Sequence, residues 1–68
     1  MSLAALAAAA TVFDTIDEVA RDARMSVPVA RAALVRWDIA SVSECGVVSM
    51  SENQSMAAAR VIENMEGQ

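Results

Sequence analysis

The arginines are the residues of this sequence whose type and spacing favour a specific chemistry, the binding of anions or of base edges. All five basic residues are arginines, and four of them fall between residues 20 and 37: Arg21, Arg24, Arg31 and Arg36. With Asp22 as its single carboxylate, that segment has a formal charge of +3; the rest of the chain, where eight carboxylates stand against Arg60, carries −7, and the whole chain −4. A guanidinium can pair with a phosphate oxygen or with the acceptor atoms of guanine. A basic segment between acidic flanks therefore favours contact with DNA, although the chain as a whole is acidic.

Enzymatic chemistry has little support in the composition. The sequence has no histidine, lysine or tyrosine, three residue types used for proton transfer near neutral pH. Cys45 has no imidazole to activate it, so we expect a structural small residue, with a disulfide between subunits as the alternative. Gly46 and Gly67 are the only glycines, which excludes a glycine-rich phosphate loop. We predict a non-enzymatic protein with no catalytic residues and no cofactor.

The acidic residues before the basic segment are a second candidate for chemistry. Helical spacing puts four of them on one side of a helix: Asp14, Asp17, Glu18 and Asp22. Carboxylates bind metals, but no nitrogen or sulfur ligand stands nearby in the sequence. Asp17 precedes Arg21 by four residues, which is the favourable order for a helical ion pair. We interpret the group as a solvent-exposed face and predict no metal site.

The size of the chain bears on its oligomeric state. A length of 68 residues predicts a single helical domain, residues 1–68. A domain this small buries only about 60% of its unfolded surface, yet 56% of its residues are hydrophobic. That surplus favours apolar surface shared with another chain. We therefore expect a homo-oligomer, with an interface on the N-terminal helix at Leu3, Leu6, Ala10 and Phe13.

The apolar N-terminal segment does not predict a membrane protein. From Leu3 to Phe13 its only polar residue is Thr11, and a bilayer span takes about 20 residues. A secretory signal would begin with basic residues, and none precedes this segment. We expect a buried helix, no membrane contact and a cytoplasmic protein whose thiol is reduced.

One apolar stripe runs through the first 24 residues at intervals of three and four, typical of one helix face. Its members are Leu3, Leu6, Ala10, Phe13, Ile16, Ala20 and Ala23. Ser2 can cap this helix. Two capping boxes could each start a second helix: Thr11 with Asp14, and Thr15 with Glu18. We favour helix throughout with a bend between Thr11 and Thr15, and leave open whether residues 2–24 form one helix or two.

A further helix is predicted from Ser26, a good N-cap, with Pro28 in its first turn. Its inner face holds Ala30, Ala33, Leu34 and Trp37, with Trp37 expected at the centre of the core. The natural stop is Cys45–Gly46, where glycine accepts the left-handed conformation. Residues 47–50 are interpreted as an extended link or a minimal strand, too short for a sheet on its own.

The last segment predicts an amphipathic helix after a third capping box, Ser51 with Gln54. Its apolar positions are Ala57, Ala58, Val61, Ile62 and Met65, and it ends near Gly67. Short connections between such helices predict an all-α fold, a small bundle of three or four helices.

The centre of the chain carries a resemblance. The positions concerned are Val19–Ala20, Ala23, Met25–Ser26, Ala30–Arg31 and Ala33–Leu34. This pattern, over about residues 16–35, resembles the helix-turn-helix of bacterial and phage repressors. In that motif the Val-Ala pair packs the first helix on the second, and a small residue three positions on allows close approach. The family usually has glycine at the turn position that Arg24 occupies, which predicts strain if Arg24 is left-handed.

The resemblance implies a DNA-binding role with the second helix in the major groove. By that similarity the groove-facing residues would be Ser26, Val27, Val29 and Arg31, and the phosphate-facing residues Arg24 and Arg36. The segment from Glu44 to Val48 also looks similar to the entry of a winged-helix hairpin, several residues later than usual.

Two functions from different classes follow. The first is a helix-turn-helix-like transcription regulator that binds DNA as an oligomer. The alternative is a self-assembling or partner-binding structural subunit, for example a virion component, that binds no nucleic acid and lies in the virion. The acidic surface and surplus apolar content follow directly from this alternative. A regulator that binds another protein is a third option.

Overall fold

The computed structural model describes residues 2–66, with side chains through residue 64. Within that range the chain forms four helices and one β-hairpin. In chain order they are α1 (Leu3–Val12), α2 (Ile16–Asp22), α3 (Val27–Arg36), β1 (Ser41–Val42), β2 (Val48–Ser49) and α4 (Glu52–Glu66). The domain is mostly helical, and the hairpin is a departure from the all-α fold expected. The predicted helix end near Gly67 and the packing of Met65 lie outside what the structure describes.

The apolar N-terminal segment forms two helices, and Thr15 is the N-cap of the second. The hydroxyl oxygen of Thr15 accepts a hydrogen bond from the Glu18 backbone N–H at 3.4 Å and donates one to the Glu18 carboxylate at 2.7 Å. The Thr11 hydroxyl donates instead to the Ala8 carbonyl at 2.7 Å, inside α1. The preference for helix throughout is therefore wrong over residues 13–15.

The break between α1 and α2 is held open by the hairpin. The Val48 N–H donates to the Asp14 carbonyl and the Ile16 N–H donates to the Gly46 carbonyl, both at 2.8 Å. An isolated antiparallel bridge joins Thr15 to Val47 at the same place. These backbone groups would be committed to intrahelical bonds in a continuous helix, so the sheet contacts and the break require each other.

The hairpin replaces the long second helix that was expected. Strands β1 and β2 are antiparallel, with Ser41 opposite Ser49 and Val42 opposite Val48. The prediction that Gly46 stops a helix is wrong: Gly46 lies in the turn between the strands, at a φ of +86°. A Cβ there would lie 3.0 Å from Cγ2 of Ile16. Glycine is required by both the positive φ and the close approach of α2.

Helix α3 begins as predicted and ends earlier than predicted. The Ser26 hydroxyl accepts a hydrogen bond from the Val29 N–H at 3.4 Å, and Pro28 lies in the first turn. After Arg36 the chain turns back: Asp38 is left-handed at a φ of +52°, and the Ile39 N–H donates to the Leu34 carbonyl at 2.9 Å. That bond closes a Schellman-type cap, which ends the helix before its β-branched continuation.

The core is small and built largely from alanine. Its largest fully buried side chains are Leu6 of α1, Val19 of α2 and Leu34 of α3. Helix α1 packs most extensively on α4, where Ala58 is buried. Small side chains on α1 allow this close approach. The expectation that Trp37 forms the centre of the core is wrong, since its side chain is 61% exposed. It follows the last residue of α3 and lies beyond the packed stripe.

Helix α4 starts with the predicted capping box. The Gln54 N–H donates to the Ser51 hydroxyl at 3.1 Å, and the Ser51 N–H donates to the Gln54 side-chain oxygen at 2.8 Å. Val61 and Ile62 are half-buried, while Ala57 is exposed. Among the helices of residues 2–66, none combines the length and the apolar character needed to cross a membrane.

The proposed oligomer interface on α1 needs correction at two of its four positions. Leu6 is fully buried and Ala10 nearly so, both inside the chain's own core. A side chain covered by its own chain cannot contact a second copy. Leu3, at 39% exposure, and the partly buried Phe13 are the remaining members of that set with surface to offer.

Candidate nucleic-acid interface

The turn between α2 and α3 forms a sharp corner around Arg24. Arg24 is left-handed, with a φ of +59°, at the position where glycine was expected from the resemblance. The Met25 N–H donates to the Ala20 carbonyl at 2.9 Å, and the Arg24 N–H donates to the Arg21 carbonyl at 3.2 Å. These two bonds form a Schellman motif with a non-glycine residue, which costs about 1–2 kcal/mol. The corner therefore holds an exposed arginine in a strained backbone conformation.

One side of α3 points away from the protein. We call this surface the outward face of α3; its five exposed residues are Pro28, Val29, Ala32, Val35 and Arg36. Because successive residues of a helix are separated by about 100°, these five side chains fall within an arc of about 120°. Val29 is 41% exposed and Val35 60%. The opposite side holds the buried Ala30 and Leu34.

The candidate groove-facing residues do not all lie on this outward face. Ser26 is exposed, but its hydroxyl is engaged in capping α3. Val29 is exposed as the hypothesis requires. Val27 is half-buried and packs against the core, so its assignment as a groove-facing residue is wrong. The resemblance placed it in that role, whereas its spacing of three and seven residues from the buried Ala30 and Leu34 puts it on the inner side of α3.

Arg31 lies at the edge of the outward face and reaches the hairpin. Its Nη1 donates a hydrogen bond to the Ser43 carbonyl at 3.1 Å, in the loop after β1. The residue is half-buried. One of the five guanidinium N–H donors is thus used within the chain. The contact ties α3 to the hairpin, so Arg31 is less available to a ligand than an unrestrained arginine would be.

The two phosphate-facing candidates bracket the outward face. Arg24 is exposed at the corner before α3, and Arg36 is exposed at its last residue. The Arg36 guanidinium lies over the Trp37 ring, 5.8 Å from its centroid. A cation over an aromatic face is held by the ring quadrupole without being neutralised. Both positive charges therefore remain at the surface.

Among the side chains of residues 2–64, no arginine forms an ion pair with a carboxylate, although Glu18 and Asp22 line the same hollow as Arg21 and Arg24. Among the side chains that the structure describes, their polar and stacking contacts are the bond from Arg31 to Ser43 and the stacking of Arg36 on Trp37, and neither is an ion pair. Asp17 and Arg21, four residues apart on α2, are both exposed and form no ion pair. The field of this corner is consequently not cancelled by direct pairing, although carboxylates of α2 lie nearby.

The other candidate chemistries are not brought together. Cys45 is exposed in the hairpin turn, so it is not a packed structural residue of the core. Over residues 2–64, no group of three or more acidic or thiol side chains is placed to hold a metal ion. A hollow of about 200 Å³ is lined by Leu3, Leu6, Met25, Ala33 and Trp37. It is almost entirely apolar and offers no group for catalysis.

Sequence reasoning missed three members of the outward face and the hairpin contact of Arg31. Pro28, Ala32 and Val35 would have been found by continuing the helical spacing of the buried Ala30 and Leu34 around the axis. The partner of Arg31 carried no signal in the sequence, since Ser43 is twelve residues away and its backbone carbonyl is the acceptor.

No family model, curated protein or solved structure matches this chain.

Proposed function

We propose that this protein is a cytoplasmic, DNA-binding regulator of transcription. It acts as an oligomer, with α2, the corner at Arg24 and α3 forming a helix-turn-helix at the centre of a small helical bundle. The single observation that carries the proposal is the corner itself. It joins two short helices at the predicted position and displays arginines that no described carboxylate pairs with.

In this proposal the outward face of α3 enters the major groove. The groove of B-form DNA is about 12 Å wide, which admits a helix. Helix α3 has ten residues, about 15 Å of helix axis, with Arg24 before it and Arg36 at its end. Phosphates of the two groove walls would then be contacted by these two arginines, while Val29 lies nearest the base edges.

The hairpin supports the proposal as a wing beside the recognition helix. Arg31 joins α3 to the loop after β1, and the contacts of Asp14 and Ile16 join the hairpin to the start of α2. The wing is thereby fixed to both helices of the motif. In this arrangement Arg31 has a positioning role and reaches DNA through its remaining donors.

The test is the salt dependence of binding to a duplex of mixed sequence and about 20 base pairs, measured by fluorescence anisotropy. The slope of log K against log salt is negative, and each phosphate contact that is lost should reduce its magnitude by about one. We expect Arg24→Gly and Arg36→Ala each to do so.

The matched control for this test is Arg60→Ala. Arg60 is exposed on α4, so its removal changes net charge equally but lies outside the proposed interface. We expect it to leave the slope unchanged. No binding by the parent protein at about 50 mM salt, or an equal effect of all three variants, would overturn the proposal.

A second candidate function is the self-assembling structural subunit, for which the location would be a virion or another assembly. The observation in its favour is exposed apolar surface: Leu3 and Trp37 border the apolar hollow, and Val35 is exposed nearby in sequence. Light scattering without nucleic acid separates the two functions. Defined large assemblies that Trp37→Ala disrupts would favour the structural subunit, and a small oligomer unaffected by that change would argue against it.

A further inference from the structure

The outward face of α3 has almost nothing with which to form hydrogen bonds. Within α3 the only polar side chains are Arg31 and Arg36. Arg31 is half-buried and bonded to the hairpin, and Arg36 is the last residue of the helix, stacked on Trp37. Ser26, just before the helix, spends its hydroxyl on the cap. The middle of the face therefore offers only methyl, methylene and ring carbons.

The major groove has one base-edge group that such a surface can recognise. Each base pair presents hydrogen-bond donors and acceptors there, and thymine alone among the four bases adds an apolar group, its 5-methyl. A valine or alanine side chain placed over guanine or cytosine would desolvate polar atoms without pairing them, which is unfavourable. The same side chain placed over a thymine methyl buries two apolar groups together.

We propose that α3 selects thymine-containing sequences by packing Val29 and Ala32 against thymine 5-methyl groups. This inference rests on the proposed DNA-binding function and names its substrate class. The arginines at the two ends of the face argue for DNA as the occupant. Arg24 and Arg36 place exposed positive charge on either side of the apolar side chains of α3. In the major groove, phosphates lie in the same way on either side of the base edges that carry the methyl groups.

The experiment compares two duplexes that differ only in the methyl group. One is an alternating A–T duplex of about 20 base pairs, and the other has deoxyuridine in place of every thymidine. Each methyl group buried on binding should strengthen the complex about fourfold. For contacts by Val29 and Ala32 together we expect the thymidine duplex to bind about 15-fold more tightly, by anisotropy at low salt.

A pair of valine variants assigns the effect to α3. Val29→Ala should reduce the ratio between the two affinities at least about twofold, because part of the contact with the methyl group is lost. Val12→Ala is the matched control, since Val12 is 72% exposed at the end of α1 and outside the outward face. It should leave the ratio unchanged.

The outcomes separate this inference from the function on which it rests. Equal, salt-dependent binding to both duplexes would overturn thymine recognition and leave DNA binding standing. No binding to these duplexes or to one of mixed sequence would overturn both. Self-association that Val35→Ser abolishes, in a protein that binds none of the duplexes, would also overturn both and assign the face to a second copy.

Discussion

Helices α1 and α3 are both ten residues long and rich in small or apolar side chains, yet the fold uses them in opposite ways. In α1 the buried residues are Leu6, Ala7, Ala9 and Ala10. In α3 they are Ala30 and Leu34 alone. Helix α1 packs against α2, α3 and α4, so it is covered on several sides, whereas α3 packs mainly against α2 and β1.

The difference shows that apolar composition alone does not place a helix inside a small domain. The number of neighbouring elements decides how much of each helix is covered, and α3 leaves Val29 and Val35 exposed because nothing described lies above them. The exposed valines of α3 lie between the exposed arginines Arg24 and Arg36. In α1 the same residue types supply the interior that holds this surface in place.

The largest expected effect is on the free energy of unfolding, and it distinguishes a core leucine of α1 from an exposed valine of α3. Leu6→Ala should lower the free energy of unfolding by about 2–5 kcal/mol, because it leaves a cavity in a small core. Val29→Ala should change it by less than about 0.5 kcal/mol, since the side chain has little to lose in the folded state. Urea unfolding followed by circular dichroism measures both. Similar losses for the two variants would mean that α3 is covered as α1 is.

A smaller effect of opposite sign is expected at the corner before α3. Arg24→Gly should raise the free energy of unfolding by up to about 1 kcal/mol, because glycine adopts the left-handed conformation without the strain that arginine bears. The same variant is expected to weaken DNA binding. Gain in stability with loss of binding would show that the arginine is retained for a contact outside the chain. A loss of stability would show that its side chain supports the fold.

The smallest expected effect concerns the link between α3 and the hairpin. Arg31→Ala removes the bond to the Ser43 carbonyl and should destabilise the hairpin locally by about 1 kcal/mol, typical of a partly exposed hydrogen bond. Faster hydrogen exchange at the Val47 and Val48 amides, with little change in α1, is the expected readout. Arg36→Ala is the control, because its side chain has no described contact with the hairpin. Unchanged exchange in Arg31→Ala would remove the positioning role.

Local signals in the sequence predicted local structure well. The caps at Thr15, Ser26 and Ser51 each form, because a capping residue and its partner lie within three residues of one another. The stripe from Leu6 to Ala23 correctly marked buried positions, except for the partly buried Phe13, even though the helix breaks within it. Side chains after the break return to the core because α2 resumes the helical spacing.

Non-local contacts were the part that sequence reasoning could not reach. The hairpin depends on Val42 meeting Val48 and on Thr15 meeting Val47, pairings that neither segment specifies alone. Missing it extended α3 too far and placed Trp37 inside the core. For the candidate site, exposure agrees with the hypothesis at Arg24, Val29 and Arg36, while Val27 faces the core. That error came from the resemblance, because the helical spacing of Ala30 and Leu34 puts Val27 on the buried side of α3.

The most direct test of the account is to map the surface on which DNA binds. A titration of the ¹⁵N-labelled protein with a duplex of mixed sequence, followed by amide chemical shifts, reports every helix at once. We expect the shifts to concentrate on Arg24 and on α3, with α1 and α4 unaffected. Shifts confined to α1 or α4, or no shifts with DNA in large excess, would contradict the claim that α3 is exposed for binding.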